Sequence, residues 1–147
     1  MARVQIDFPK HFCFTTDIDV RITDLNYGGH IGNDIFLSIA HEARVRFLKK
    51  LGFQNEGDGP GGIGIIMGDA AIIYKGEVKY EDTLVIDIAV GDFTNFGFDI
   101  FYRFTSKKHG KVVTFIKTGI IGFDYKTGRI SRISGEVISR IQALDTF

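Results

Sequence analysis

Apolar and polar positions along the chain fall into one helix-like block flanked by strand-like ones. Residues 12–22 (FCFTTDIDVRI) partly alternate and are rich in β-formers, which predicts a strand. Asp24 to Gly32 breaks the alternation with an Asn, three Gly and a His. Asn33 then suits a helix cap, with Asp34 at the positive end of the helix dipole. From Ile35 to Leu51, Phe36, Ile39, Ala40, Ala43, Phe47 and Leu51 recur at three- and four-residue steps. Leu37 and Leu48 widen this stripe, and Gly52 stops it, so one long helix is predicted. After the Gly-rich stretch Gly57–Gly62, read as a flexible loop, four strand-like runs follow: Ile63–Val78, Thr83–Phe93, Gly97–Ser106 and Lys111–Tyr125. Asn95-Phe96-Gly97 and Lys108-His109-Gly110 supply turns, so the last three runs should form antiparallel hairpins. Lys126-Thr127-Gly128 closes the final run, and Ser134 suits the cap of a short helix carrying Val137, Ile138 and Ile141.

Strands gathered after one helix argue for an α+β fold rather than a parallel βαβ arrangement. One helix cannot cover both faces of a sheet that size. Either the sheet curls around it or another subunit covers the remainder.

Length and composition fit this picture without extending it. At 147 residues, 44% hydrophobic and 24% charged, the chain suits one domain, residues 1–147, with a Phe-rich core (14 Phe, no Trp). Lys plus Arg equals Asp plus Glu at 18 each, which argues against a nucleic-acid footprint or a basic membrane stripe. Lys107-Lys108-His109 reads as a solvated hairpin tip. Residues 1–20 lack a continuous apolar run and no segment is long and apolar enough to span a bilayer, so a cytoplasmic protein is expected. The lone Cys13, between Phe12 and Phe14, reads as a half-buried packing residue. No Cys/His spacing suggests a zinc site.

Candidate chemistry concentrates in the loop from Asp24 to Asp34. Gly28 and Gly29 let backbone N–H groups approach a ligand closely, and the helix start adds unpaired N–H groups. Together these suit polarisation of a carbonyl, the requirement of acyl transfer. Asp24, Asn26, His30, Asn33 and Asp34 surround that point; the same residue types also serve as plain caps and turns. Neither the GxxxxGK[ST] nor the GxGxxG phosphate pattern is present. On the helix, Ser38, Glu42 and Lys49 lie opposite the apolar stripe, and Glu42 can pair with Arg46 at i+4. Arg44 falls within the apolar sector and reads as a structural ion-pair partner.

With Asp24-Leu-Asn-Tyr-Gly-Gly-His-Ile-Gly-Asn-Asp34 followed by Glu42-Ala43-Arg44, the run Val20–Gly52 resembles the hot-dog-fold acyl-CoA thioesterases of the 4-hydroxybenzoyl-CoA thioesterase type. Tyr74–Leu84 and Lys117–Gly128 are similar to that family's hairpin segment and last long strand. The resemblance implies a five-strand antiparallel sheet wrapped around the helix, assembled as a homodimer or dimer of dimers. It implies an acyl-CoA or related thioester substrate at the dimer interface, no metal, and no cofactor beyond the substrate's own coenzyme A. The carbonyl would meet the Gly29 and His30 N–H groups, within a binding set of Asp24, Tyr27, Gly28, Gly29, Asn33 and Asp34. One departure matters. Many relatives carry a carboxylate four residues before the His, where this chain has Asn26, and an amide cannot act as a base. Asn26 would then orient substrate or water beside His30. The base would then be Glu42, Asp24 or Asp34; Glu42 is favoured, because Asp24 suits a turn former and Asp34 a helix-start charge. Loss of the carboxylate also leaves open a non-catalytic acyl-CoA binding protein, and His30 with an acid leaves open a hydratase or dehydratase.

Overall fold

A computed structural model describes residues 1–147. The elements run β1 (Phe14–Asp19), α1 (Ile35–Lys50), β2 (Gly64–Tyr74), β3 (Thr83–Gly91), β4 (Gly97–Ser106), β5 (Lys111–Asp124), β6 (Arg129–Ile130) and α2 (Gly135–Gln142). All strand pairings are antiparallel, in the order β1-β3-β4-β5-β2, with the two-residue β6 appended to β5. The order follows from the turns, since β3, β4 and β5 are joined by short connections and pair in sequence. β2 and β1 then fall on opposite edges.

The predicted helix stripe is the one that packs. Phe36, Ile39, Ala40, Ala43, Phe47 and Leu48 are buried in one core cluster with Leu84, Ile86 and Ile88 of β3, Phe98, Ile100 and Phe104 of β4, and Ile116 and Ile120 of β5. Ala40 and Ala43 are fully buried and carry no bulk that would hold the sheet away from the helix. The outer face of the sheet is partly covered by the chain itself. Ile6, Phe8 and Phe12 pack on Ala89 and Phe101 there, and the Arg103 guanidinium lies 4.1 Å from the Phe12 ring centroid.

Several boundaries differ from the sequence pattern for identifiable reasons. The first strand is shorter than residues 12–22, because Ile22–Asp24 tightens into a 3-10 turn. β2 ends at Tyr74 rather than Val78. Lys75 and Gly76 both donate to Val113 O, and the chain then turns away to meet the loop. Gly57–Gly62 lies across two hydrogen-bonded turns: Gln54 N–H donates to Asp58 O at 2.9 Å, and Gly62 N–H donates to Gly59 O at 2.9 Å. Asn33 is not the cap of α1. That position is Asp34, whose side chain makes no capping bond. The Ser134 cap does form, accepting from Glu136 N–H at 3.3 Å.

Candidate functional site

Asp24 is where the loop is fastened. Its carboxylate is 2% exposed and accepts from Arg21 N–H at 2.8 Å and Arg21 Nη2 at 3.0 Å, closing the 3-10 turn after β1. Its carbonyl accepts from Gly32 N–H at 3.3 Å. Asp24 therefore shapes the loop, and its carboxylate is already occupied.

Between Leu25 and Ile31, which bridge to each other, the chain makes a tight excursion. Asn26 organises it three ways. Its Oδ1 accepts from Gly28 N–H at 2.9 Å, its carbonyl from Gly29 N–H at 3.1 Å, and its own N–H donates to His30 O at 2.9 Å. This is the side-chain-to-backbone turn for which Asn is suited, and Gly29, at φ +77°, takes the left-handed position. The same bonds correct one expectation: Gly29 N–H is spent inside the turn. The N–H of His30 has no acceptor in the chain, and neither do those of Asn33 and Asp34. Tyr27 stands fully exposed at the tip.

The excursion is pinned to the segment after β2. Ile31 N–H donates to Val78 O at 2.8 Å, and His30 bridges to Lys79. Tyr74 Oη donates to Asn33 O at 2.9 Å. The result is a cleft of ≈ 440 Å³ lined by Asn26, His30, Asn33, Asp34, Tyr74 and Glu77, among others. Within it His30 Nε2 lies 3.7 Å from Glu77 Oε1, and His30 Nδ1 lies 3.4 Å from Ile31 O.

Glu42 is elsewhere. It is half-exposed, 3.6 Å from Arg46, and opens into a separate depression with Arg21, Asp24 and Ser38. Within one chain, the structure joins Asn26, His30, Asn33 and Asp34 in the cleft and leaves Glu42 outside it. Glu77 and Tyr74 were not singled out from the sequence. They reach the loop only through long-range pairing, which no local spacing encodes.

Two other residues have the roles their patterns suggested. Arg44 is buried, donating to Glu56 Oε1 at 3.2 Å and to Tyr102 Oη at 3.2 Å. Tyr102 Oη is itself 2.8 Å from Thr118 Oγ1, and burial pushes its pKa above the ordinary tyrosine value. Burial likewise pushes the Cys13 thiol up to about 11, so it remains a protonated packing group near neutral pH. No group of three or more His, Cys, Asp or Glu side chains converges to hold a metal ion, and no helix is long and apolar enough to cross a membrane.

The profile of the thioesterase-like superfamily matches residues 20–141. The chain belongs to that superfamily. Solved structures similar to it include the DHNA-CoA thioesterase of Staphylococcus aureus, with a TM-score of 0.76 and 22% identity over 90% of this chain and 91% of that one. A 1,4-dihydroxy-2-naphthoyl-CoA thioesterase from Synechocystis matches with a TM-score of 0.78 and 18% identity over 92% and 98%. A thioesterase from Thermus thermophilus, complexed with coenzyme A and zinc, matches with a TM-score of 0.77 and 20% identity over 90% and 94%. No curated protein gives a sequence match. The shared architecture is the hot-dog fold that the loop and helix motif implied, and superfamily membership brings thioester hydrolysis as the chain's chemistry.

Proposed function

We propose that this chain hydrolyses an acyl-CoA thioester in the cleft between the Asn26–Asp34 loop and Tyr74. The observation that carries the reading is the unpaired N–H of His30, beside the free N–H groups of Asn33 and Asp34 where α1 begins. Donors fixed in place before substrate arrives stabilise the oxyanion that forms when a thioester carbonyl is attacked, and removing one such donor typically costs about 100-fold or more in rate. Asn26 uses Oδ1 for the turn, which leaves its NH2 group as a donor for the substrate. The acyl group and pantetheine arm would extend from this point. Attack by water at a carbonyl so polarised requires no metal.

The working form would be a homodimer. β2 is an edge strand of 11 residues whose free side has no partner, with Met67 and Ala70 exposed along it. Such an edge invites pairing with a second copy. Tyr74 lies at the end of that edge and on the wall of the cleft, so a partner strand would help to enclose the substrate. A cytoplasmic location fits a coenzyme A substrate and a lone thiol that needs no oxidising compartment.

Release of free thiol from a panel of short, long and aromatic acyl-CoA esters tests the proposal. Turnover of at least one class is expected. Tight binding of acyl-CoA with no thiol released from any of them would instead select the non-catalytic binding protein, the reading that Asn26 favours.

A further inference from the structure

We infer that Glu77 and His30 together hold and activate the attacking water, supplying the carboxylate that position 26 lacks; this rests on the hydrolase reading above. Glu77 follows the end of β2, where the chain turns back along the loop. Its backbone is held by two neighbours on the same segment: Val78 O accepts from Ile31 N–H at 2.8 Å, and Lys79 bridges to His30. The side chains of Glu77 and His30 meet in the cleft, 3.7 Å apart between Oε1 and Nε2.

The chemistry follows from which atoms can donate. His30 Nδ1 lies 3.4 Å from the carbonyl oxygen of Ile31, a group that only accepts. A neutral imidazole with its proton on Nδ1 satisfies that carbonyl and presents Nε2 as a bare lone pair. The Glu77 carboxylate is also purely an acceptor. Two acceptors at 3.7 Å make no bond with each other, but a water with two O–H groups can donate to both, at about 2.8 Å from each. Gly28 makes room for this arrangement, because a Cβ there would stand 3.1 Å from His30 Nε2. The same residue that offers its backbone N–H to the carbonyl thus offers its ring to the water. Asp34 is the other carboxylate on the cleft, and its Oδ1 is folded back over Gly32, where a Cβ would meet it at 2.7 Å.

The step balances. The water oxygen bonds to the carbonyl carbon while one of its protons passes to Nε2, and Glu77 stabilises the imidazolium. When the tetrahedral adduct collapses, the C–S bond breaks and the departing sulfur takes the proton from Nε2. Acyl thioester and water become carboxylic acid and thiol, with both residues restored.

Two measurements decide it. Glu77→Gln should lower kcat by about 100-fold with KM little changed, and Glu77→Asp should recover about tenfold of that loss, in line with general-base contributions. An unchanged kcat in Glu77→Gln, with an unchanged melting temperature, overturns the inference while leaving the hydrolase reading intact. Independently of activity, 15N chemical shifts of His30 at a pH where the ring is neutral should report the proton on Nδ1. A proton on Nε2 overturns the pairing, even in a protein that cleaves no acyl-CoA.

Discussion

The hydroxyl of Tyr74 donates to the carbonyl oxygen of Asn33 at 2.9 Å, joining the end of the edge strand to the residue before the cap of α1 across 41 positions of sequence. The same ring stands edge-on to Phe36 with centroids 6.0 Å apart. One side chain thus fixes both the wall of the cleft and the helix start that lines it. Tyr74→Phe keeps the ring contact and removes the bond. Because the hydroxyl is near solvent, stability should fall by about 1 kcal/mol or less. KM for the best acyl-CoA should nevertheless rise several-fold, because the free N–H groups at Asn33 and Asp34 lose their anchor. Thermal melts and steady-state kinetics on the same preparation separate the two effects. A loss of stability with no change in KM would assign Tyr74 to packing alone.

Arg44 shows the opposite balance, a charge placed for the fold. Its guanidinium is buried against Tyr102 Oη, and Glu56, its carboxylate partner, is also 2.9 Å from His41 Nε2. Removing one member of a buried pair leaves the other charge uncompensated, which commonly costs about 3–5 kcal/mol. Glu56 is partly exposed and can recover water, so the cost here should be nearer to about 2 kcal/mol. Arg44→Met should therefore lower the melting temperature by about 6 °C. Adding Glu56→Gln should return part of that loss. A double variant that melts below the single one would argue against the pair as the source.

Asp82 gives the chain an acid-sensitive joint. It is buried before β3 and accepts from Ser106 Oγ at 2.5 Å, Thr83 N–H at 2.7 Å and Lys108 N–H at 3.1 Å. Burial alone would push its carboxyl up, but these hydrogen bonds outweigh it and hold the group below the ordinary carboxylate range. A carboxyl depressed in the folded state stabilises above its unfolded value of about 4 and loses that contribution as pH falls through the folded value. Urea unfolding should show Asp82→Asn less stable than the parent by about 2 kcal/mol at neutral pH. The gap should be complete above about pH 5 and should shrink below about pH 4. A gap of the same size under strongly acid conditions would mean that the carboxylate charge is not what stabilises the joint.

How much of this was legible in sequence depends on how local each signal is. The stripe from Phe36 to Leu48 is written at helical spacing, so α1 and its buried face followed directly from it. The β3, β4 and β5 hairpins were announced by their turns. Arg44 was readable because a charge within an apolar stripe requires a partner, although nothing local named Glu56. The loop was recognisable as a site by its broken pattern, but not its wiring. That Asn26 would consume the Gly29 N–H depends on backbone torsions, and only φ +77° at Gly29 fixes which amide stays free. Glu77 was invisible for a different reason. It reaches His30 because β2 ends early and its continuation clasps the loop, a consequence of pairing between segments far apart in the chain.

Position 26 offers the sharpest test of how turn and chemistry are divided. The Asn26 side chain closes the turn by accepting from Gly28 N–H at 2.9 Å, a task an aspartate performs equally well. Asn26→Asp should therefore preserve the loop, with a melting temperature close to that of the parent. What it adds is a second oxygen with base character on the same cleft as His30 and Glu77. In the Glu77→Gln background, where the water has lost its carboxylate partner, Asn26→Asp should restore kcat by about tenfold or more. If the double variant stays as slow as Glu77→Gln while melting normally, the side chain at position 26 faces its own backbone and not the substrate carbon. The chemistry would then belong to His30 and Glu77, with Asn26 reduced to holding the His30 N–H in place.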